Sequence, residues 1–359
     1  MKTPRIFLCF SLIFLSACAG NPATNIQNTG AIGSQEITNL TVMTHDNFAV
    51  SEKVIQDFER QNSAQVTIIK SGDAGAALNR AVLSKDAPFA DVFFGIDNTF
   101  LSRAIDEGIF EPYQSPLLKE IPDSFKLDRE NQALPVDFGD VCINYDIAFF
   151  KDANLAVPQK FEDLTKLEYK GMLVVENPAT SSPGLAFLLA TIDYFGKDQY
   201  LGFWKAMRSN DMVVVNDWST AYYANFSGSS GKGPQPMVVS YASSPVAEVY
   251  FAASPVSKPP TASIVEPKTC FRQIEFVGIL KGTKNGELAR KFVDFMLGKE
   301  FQEDVPLQMF MYPVNSTAEL PDVYKEFAQI PAVPAQMDPG EITNNRASWI
   351  QAWTEVVLR

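Results

Sequence analysis

Ala90-Asp91-Val92-Phe93-Phe94-Gly95 is a short apolar run, rich in β-formers and closed by a glycine. Such a run predicts a strand buried on both faces, the kind found where helices cover a sheet from either side. Working outward, Leu40-Thr41-Val42-Met43 predicts an earlier strand, and Gln65-Val66-Thr67-Ile68-Ile69 a second. Between them, residues 50–60 carry Val54, Ile55 and Phe58 at helical spacing; further helices are predicted over 76–83 and 99–107. Strands and helices alternating at this pace give a mostly parallel sheet flanked by helices, an α/β fold. Ligands of such sheets bind beyond the carboxyl ends of the strands. Those ends fall at His45-Asp46, Ser71-Gly72-Asp73 and Asp97-Asn98, all polar.

Residues 134–145 read as an extended segment carrying the chain out of this first unit. A second α/β unit follows, with strands at 172–176, 212–215 and 237–241 and a helix after Ser181. Residues 270–280 read as a long strand returning to the first unit. An amphipathic helix is predicted over 287–297, with Leu288, Phe292, Phe295 and Met296 on one stripe. The Pro-rich stretch 321–339 reads as a wrapping segment and 341–358 as a final helix.

At 46% apolar and 20% charged residues the chain is globular. Its net charge of -12 argues against a nucleic-acid partner, which needs a basic surface. The beginning has the order of a lipoprotein leader: basic Lys2 and Arg5, an apolar core at 6–15, then Leu15-Ser16-Ala17-Cys18. The core is far below the roughly 20 residues of a membrane span. The expectation is a signal peptide over 1–17, lipid on Cys18, and an extracytoplasmic protein held to the membrane by that lipid alone. Residues 18–37, rich in Asn, Thr, Gly, Gln and Ser, read as a flexible tether.

With Cys9 in the leader and Cys18 lipidated, Cys142 and Cys270 remain, either as one disulfide or as two buried thiols. Closing a loop of roughly 130 residues stabilises a fold by about 4–5 kcal/mol in the chain-entropy model. Two distant cysteines and a single histidine do not make a zinc site or a CxxC redox site. No cofactor is expected.

Thr180-Ser181-Ser182-Pro183-Gly184 opens a helix, and its free N–H groups either are merely capped or attract an anion. Ser243-Ser244-Pro245 is a second start of this kind. Trp218-Ser219-Thr220-Ala221-Tyr222-Tyr223, following Asn216-Asp217, sets aromatics beside an acid. That suits a flat or cationic ligand, although Trp218 could equally be ordinary core. His45 is the only histidine, and no GxSxG elbow accompanies it, so a Ser-His-Asp enzyme is not indicated. A secreted glycosidase is the remaining enzymatic reading, but no carboxylate pair is singled out by spacing.

Taken in order, Ala90-Asp91-Val92…Gly95-Ile96-Asp97-Asn98, Thr180 to Leu185, Trp218 to Tyr222, Ser240-Tyr241-Ala242-Ser243-Ser244-Pro245 and Met311-Tyr312-Pro313-Val314 resemble one family. It is the substrate-binding proteins of bacterial ABC importers, within them the thiamine-binding group. Arg346-Ala347-Ser348-Trp349-Ile350 with Trp353 is similar as well, so the resemblance spans about Leu40 to Trp353. It implies a two-lobed periplasmic-binding fold hinged on two crossover strands, with lobe one at 38–138 and 270–305 and lobe two at 139–269. Residues 306–359 would pack on the lobes. It implies a monomeric, non-enzymatic protein that captures thiamine, a thiamine phosphate or a related pyrimidine cation and delivers it to a permease. Matched positions imply ligand contacts from Asp73, Ala74, Ser181, Trp218, Tyr241 and Ser244, to which Tyr222, Phe310, His45 and, from its strand end, Asp97 are added. Three positions depart from the group: His45 where an aromatic is usual, Phe310 for a tryptophan, and Ala247 for a tyrosine. The alternative within the same fold is a ferric-ion binder using Tyr222, Tyr223 and His45, since oxygen and imidazole ligands suit iron.

Overall fold

The computed structural model describes residues 37–359. The expected leader at 1–17, Cys18 and all but the end of the tether at 18–37 lie outside the described residues.

Strands β1 (Thr38–Thr44), β2 (Ala64–Lys70) and β3 (Val92–Asp97) form a parallel block in the order β2-β1-β3. Every residue of β3 is buried, as its apolar run predicts. Helices α1 (Glu52–Asn62), α2 (Ala74–Leu83) and α3 (Leu101–Asp106) connect and cover this block. Ser63, in the left-handed region at φ 50°, stops α1 and turns the chain into β2.

The short β4 (Phe110–Glu111) precedes β5 (Leu134–Asp146), the long extended segment. Then come α4 (Ile147–Asp152), β6 (Leu173–Glu176), α5 (Ser182–Phe195), α6 (Tyr200–Ser209) and β7 (Val213–Val215). After these lie β8 (Met237–Tyr241), α7 (Ser244–Tyr250), β9 (Thr261–Ile264) and β10 (Phe271–Leu280). Strands β8, β6 and β7 form a second parallel block. Within the sheet the two blocks are joined through β10 and β5, which pair antiparallel to each other and to β3 and β8 respectively. This is a two-lobed α/β architecture hinged on two crossover strands. A disulfide between Cys142 on β5 and Cys270 at the start of β10 links them across a Cα separation of 4.4 Å.

The chain closes with α8 (Gly286–Leu297), α9 (Lys299–Gln308), β11 (Tyr312–Pro313), α10 (Asp322–Phe327) and α11 (Pro339–Val357). The stretch 321–339 is therefore not all irregular: Pro321 caps a short helix that buries Tyr324 against the Tyr312 ring at 4.9 Å. Helix α11 touches both halves. Its Trp353 packs edge-on to Trp204 of α6 at 5.6 Å, and Arg346 donates to the Thr99 carbonyl at 3.2 Å. Among the described residues no helix is long and apolar enough to cross a membrane.

Candidate functional site

The polar strand ends of both halves converge on one cavity. From the β2-β1-β3 half come His45, Asp73 and Ala74; from the other half come Trp218, Tyr222, Tyr241 and Ser244; Phe310 closes one side. Asp97 and Ser181 do not line it. Asp97 is wholly buried at the end of β3, where Thr99, Ser182 and Gln273 all donate to its carboxylate. It thus acts on the cavity through Ser182, which does line it. Ser181 is buried at the N-cap of α5.

Local chemistry fixes each wall. Asp46 ties the first two strand ends together, its carboxylate accepting from Gly72 N–H at 2.8 Å. Asp73 caps α2 by accepting from Ala74 N–H at 2.9 Å, and its second oxygen faces the Trp218 N–H at 3.4 Å, from the opposite half. Trp218 lies flat on Tyr222, ring centres 4.9 Å apart at 17°, while its indole N–H donates to Ser240 Oγ at 3.0 Å. Ser240 is shared with Ser244 Oγ at 2.8 Å, so the β8–α7 turn holds the indole in place. Gly139 lets Tyr241 in: a Cβ there would stand 2.9 Å from its ring and 2.8 Å from Met311 Sδ. Phe310, at φ 56°, has its carbonyl held by Ser243 Oγ at 2.6 Å.

His45 sits in a slot that only glycine leaves open. A Cβ on Gly95, itself at φ 101°, would come within 2.1 Å of the imidazole. Nδ1 accepts the Asn47 N–H at 3.1 Å, and Nε2 stands 3.4 Å from Glu275 Oε1. Glu275 is the wall residue that sequence reasoning missed. On β10 it pairs with Asp97 of β3 on one side and Asp137 of β5 on the other, so three carboxyl groups form a row across three strands. One acid inside the otherwise apolar run Ile274 to Leu280 was the available signal. Asn47, Ser182, Glu248 and Phe251 also line the cavity and were not foreseen.

Electrostatically the cavity is acidic: Asp73, Glu275 and Glu248 line it, and among the described residues no lysine or arginine does. Burial pushes the Asp73 and Glu248 carboxyls above their ordinary range, and Asp97 up to about 7. Asp137 is likewise pushed well up, because burial is joined by the neighbouring charge of Glu275. Burial pulls the His45 pKa down, but the charge and hydrogen bond of Glu275 with the charge of Asp73 together outweigh this and leave it raised from its ordinary 6.5. The arrangement can hold a flat cation between aromatic faces and carboxylates.

The expected iron set has less support. The Nδ1 lone pair of His45 is engaged by Asn47, and the Tyr222 hydroxyl donates to Glu248 Oε1 at 2.9 Å.

Residues 87–336 match the model of the bacterial extracellular solute-binding protein family, well over half of the chain. The thiamine-binding periplasmic protein of Brucella suis is 29% identical over 92% of this chain and 95% of its own length. That of Escherichia coli is 28% identical over 89% and 94%. A solved structure of a periplasmic thiamin binding protein superposes with a TM-score of 0.79 at 26% identity, covering 91% of this chain and 98% of that one. With its hinged halves and the cavity between them, the chain belongs to the bacterial extracellular solute-binding protein family.

Proposed function

We propose that this protein captures thiamine, or a closely related pyrimidine cation, in the cavity between its halves and hands it to the membrane permease of an ABC importer. The halves are lobe one, 38–138 with 270–305, and lobe two, 139–269, closing on the ligand by a hinge at β5 and β10. The observation that carries this reading is one wall: Trp218, stacked on Tyr222 and held by Ser240, stands beside Asp73 in a cavity that, among the described residues, no lysine or arginine lines. A thiazolium ring gains from both the aromatic face and the acid. The thiamine-binding relatives matched over nine-tenths of the chain support the same ligand. A phosphate ester would have to rely on backbone N–H groups at the start of α5, since among the described residues no lysine or arginine lines the cavity.

The protein performs no chemistry on its cargo; it works as a monomer outside the cytoplasm, anchored through lipid on Cys18. The leader order ending Leu15-Ser16-Ala17-Cys18 supports the anchor, and loss of labelled-lipid incorporation in Cys18→Ser tests it. Equilibrium dialysis with labelled thiamine, against thiamine phosphate and ferric citrate as competitors, tests the ligand. Retention of thiamine that ferric citrate does not displace is expected; retention of iron and not thiamine would overturn the reading.

A further inference from the structure

Two hydrogen bonds cross the cavity without involving any ligand. Trp218 N–H faces Asp73, and Ser219 Oγ donates to Asn47 Oδ1 at 2.8 Å. Asn47 belongs to the turn that begins at His45, and its own N–H is bonded to His45 Nδ1. A backbone N–H can be received only by a lone pair, so in this geometry Nδ1 carries no proton and the ring is the neutral Nε2–H form. The imidazole has no room to turn away, being held over Gly95 and against Phe94, ring centres 5.6 Å apart. We propose that His45 is a positioning residue for closure: as neutral imidazole it sets the 45–47 turn so that Asn47 can latch onto Ser219, and a second proton, taken at Nδ1, unlatches the halves.

The step is simple to balance. A proton from solvent occupies the Nδ1 lone pair, the Asn47 N–H then meets an N–H instead of an acceptor, and the turn must open. The groups facing His45 raise its pKa from the ordinary value. Glu275 approaches from β10, with Asp97 and Asp137 flanking it; Asp73 and Lys70 face from either side of the β2–α2 turn; Tyr241 of β8 lines the same cavity. Burial disfavours the imidazolium most strongly of any one cause, but the charge and hydrogen bond of Glu275 together with the charge of Asp73 favour it and on balance prevail. The latch is therefore intact above the His45 titration and lost as pH falls through it. One hydrogen bond of this kind shifts an open–closed balance several-fold. The inference rests on the hinge-closing part of the proposed function, though not on the identity of the ligand.

Because the chain has a single histidine, its titration can be read without ambiguity by 15N NMR of the imidazole. The companion measurement is the radius of gyration by small-angle scattering, on full-length protein without ligand between pH 8.5 and 5.5, and again with saturating thiamine. Expected are the neutral Nε2–H tautomer at pH 8.5, a titration above 6.5, and an increase in radius that follows it. Ser219→Ala changes no charge and no cavity-lining residue; it should already be expanded at pH 8.5 and lose the pH dependence while His45 titrates as before. An Nδ1–H tautomer at high pH, or a Ser219→Ala radius that follows the wild-type curve, would overturn the latch. Compaction by thiamine with no response to pH would overturn the latch alone. A radius indifferent to both would overturn hinge closure as well.

Discussion

Trp218 and Tyr222 lie almost parallel, 4.9 Å between ring centres, and Tyr222 is buried while Trp218 is only partly so. One face of the indole is thus spent on the protein and the other is presented to the cavity. Removing it in Trp218→Ala should weaken thiamine binding by roughly 1–3 kcal/mol, through lost burial and stacking. Calorimetry on the variant checks this, and an unchanged affinity would take Trp218 out of the site.

Asp137 has both carboxylate oxygens buried without a hydrogen-bond partner, against the charge of Glu275. Its pKa is raised on folding, so the folded state binds more protons than the unfolded chain wherever the two differ. Stability from such a group is present below its ordinary value of 3.8 and is lost as pH rises through the folded value. Asp97, raised to about 7, acts in the same direction. Asp137→Asn should therefore stabilise the protein by about 1 kcal/mol or more at pH 8, and by less at pH 5. Thermal unfolding at the two pH values reads both the sign and the difference.

Gly95→Ala meets two obstacles at once, a positive φ and the His45 ring within 2.1 Å of the new methyl group. The substitution should destabilise by about 2 kcal/mol or more and displace His45. A denaturant midpoint equal to wild type would show that the slot is not tight.

Reducing the Cys142–Cys270 disulfide leaves the two crossover strands held to each other by their antiparallel pairing alone. In the chain-entropy model a loop of this length accounts for about 4–5 kcal/mol. The melting temperature should drop clearly in reductant, and mass spectrometry of the native protein should find no free thiol at either cysteine.

The parts of the fold legible in sequence were those whose burial is written into a local run. Strand β3 is apolar because both its faces are covered, and α8 shows its core stripe of Leu288, Phe292 and Met296. Helix α9 was passed over because Pro306 stands inside it, while β9 is only four residues long and takes its place from pairing with β5. At the site, Trp218, Asp73 and Tyr241 follow strand ends and could be found from that position. Glu275 could not, because its role comes from register: it meets Asp97 and Asp137 only once β10 has been laid between β3 and β5. Asp97 was readable as a strand-end acid, yet not as one held behind the wall by Ser182 and Gln273.

The most direct test is a crystal structure of the protein grown with thiamine. The account predicts an aromatic ring of the ligand against the free face of Trp218, its positive charge near Asp73 or Glu275, and both halves in contact with it. Thiamine bound elsewhere, or density in the cavity for a metal held by Tyr222 and His45, would contradict it.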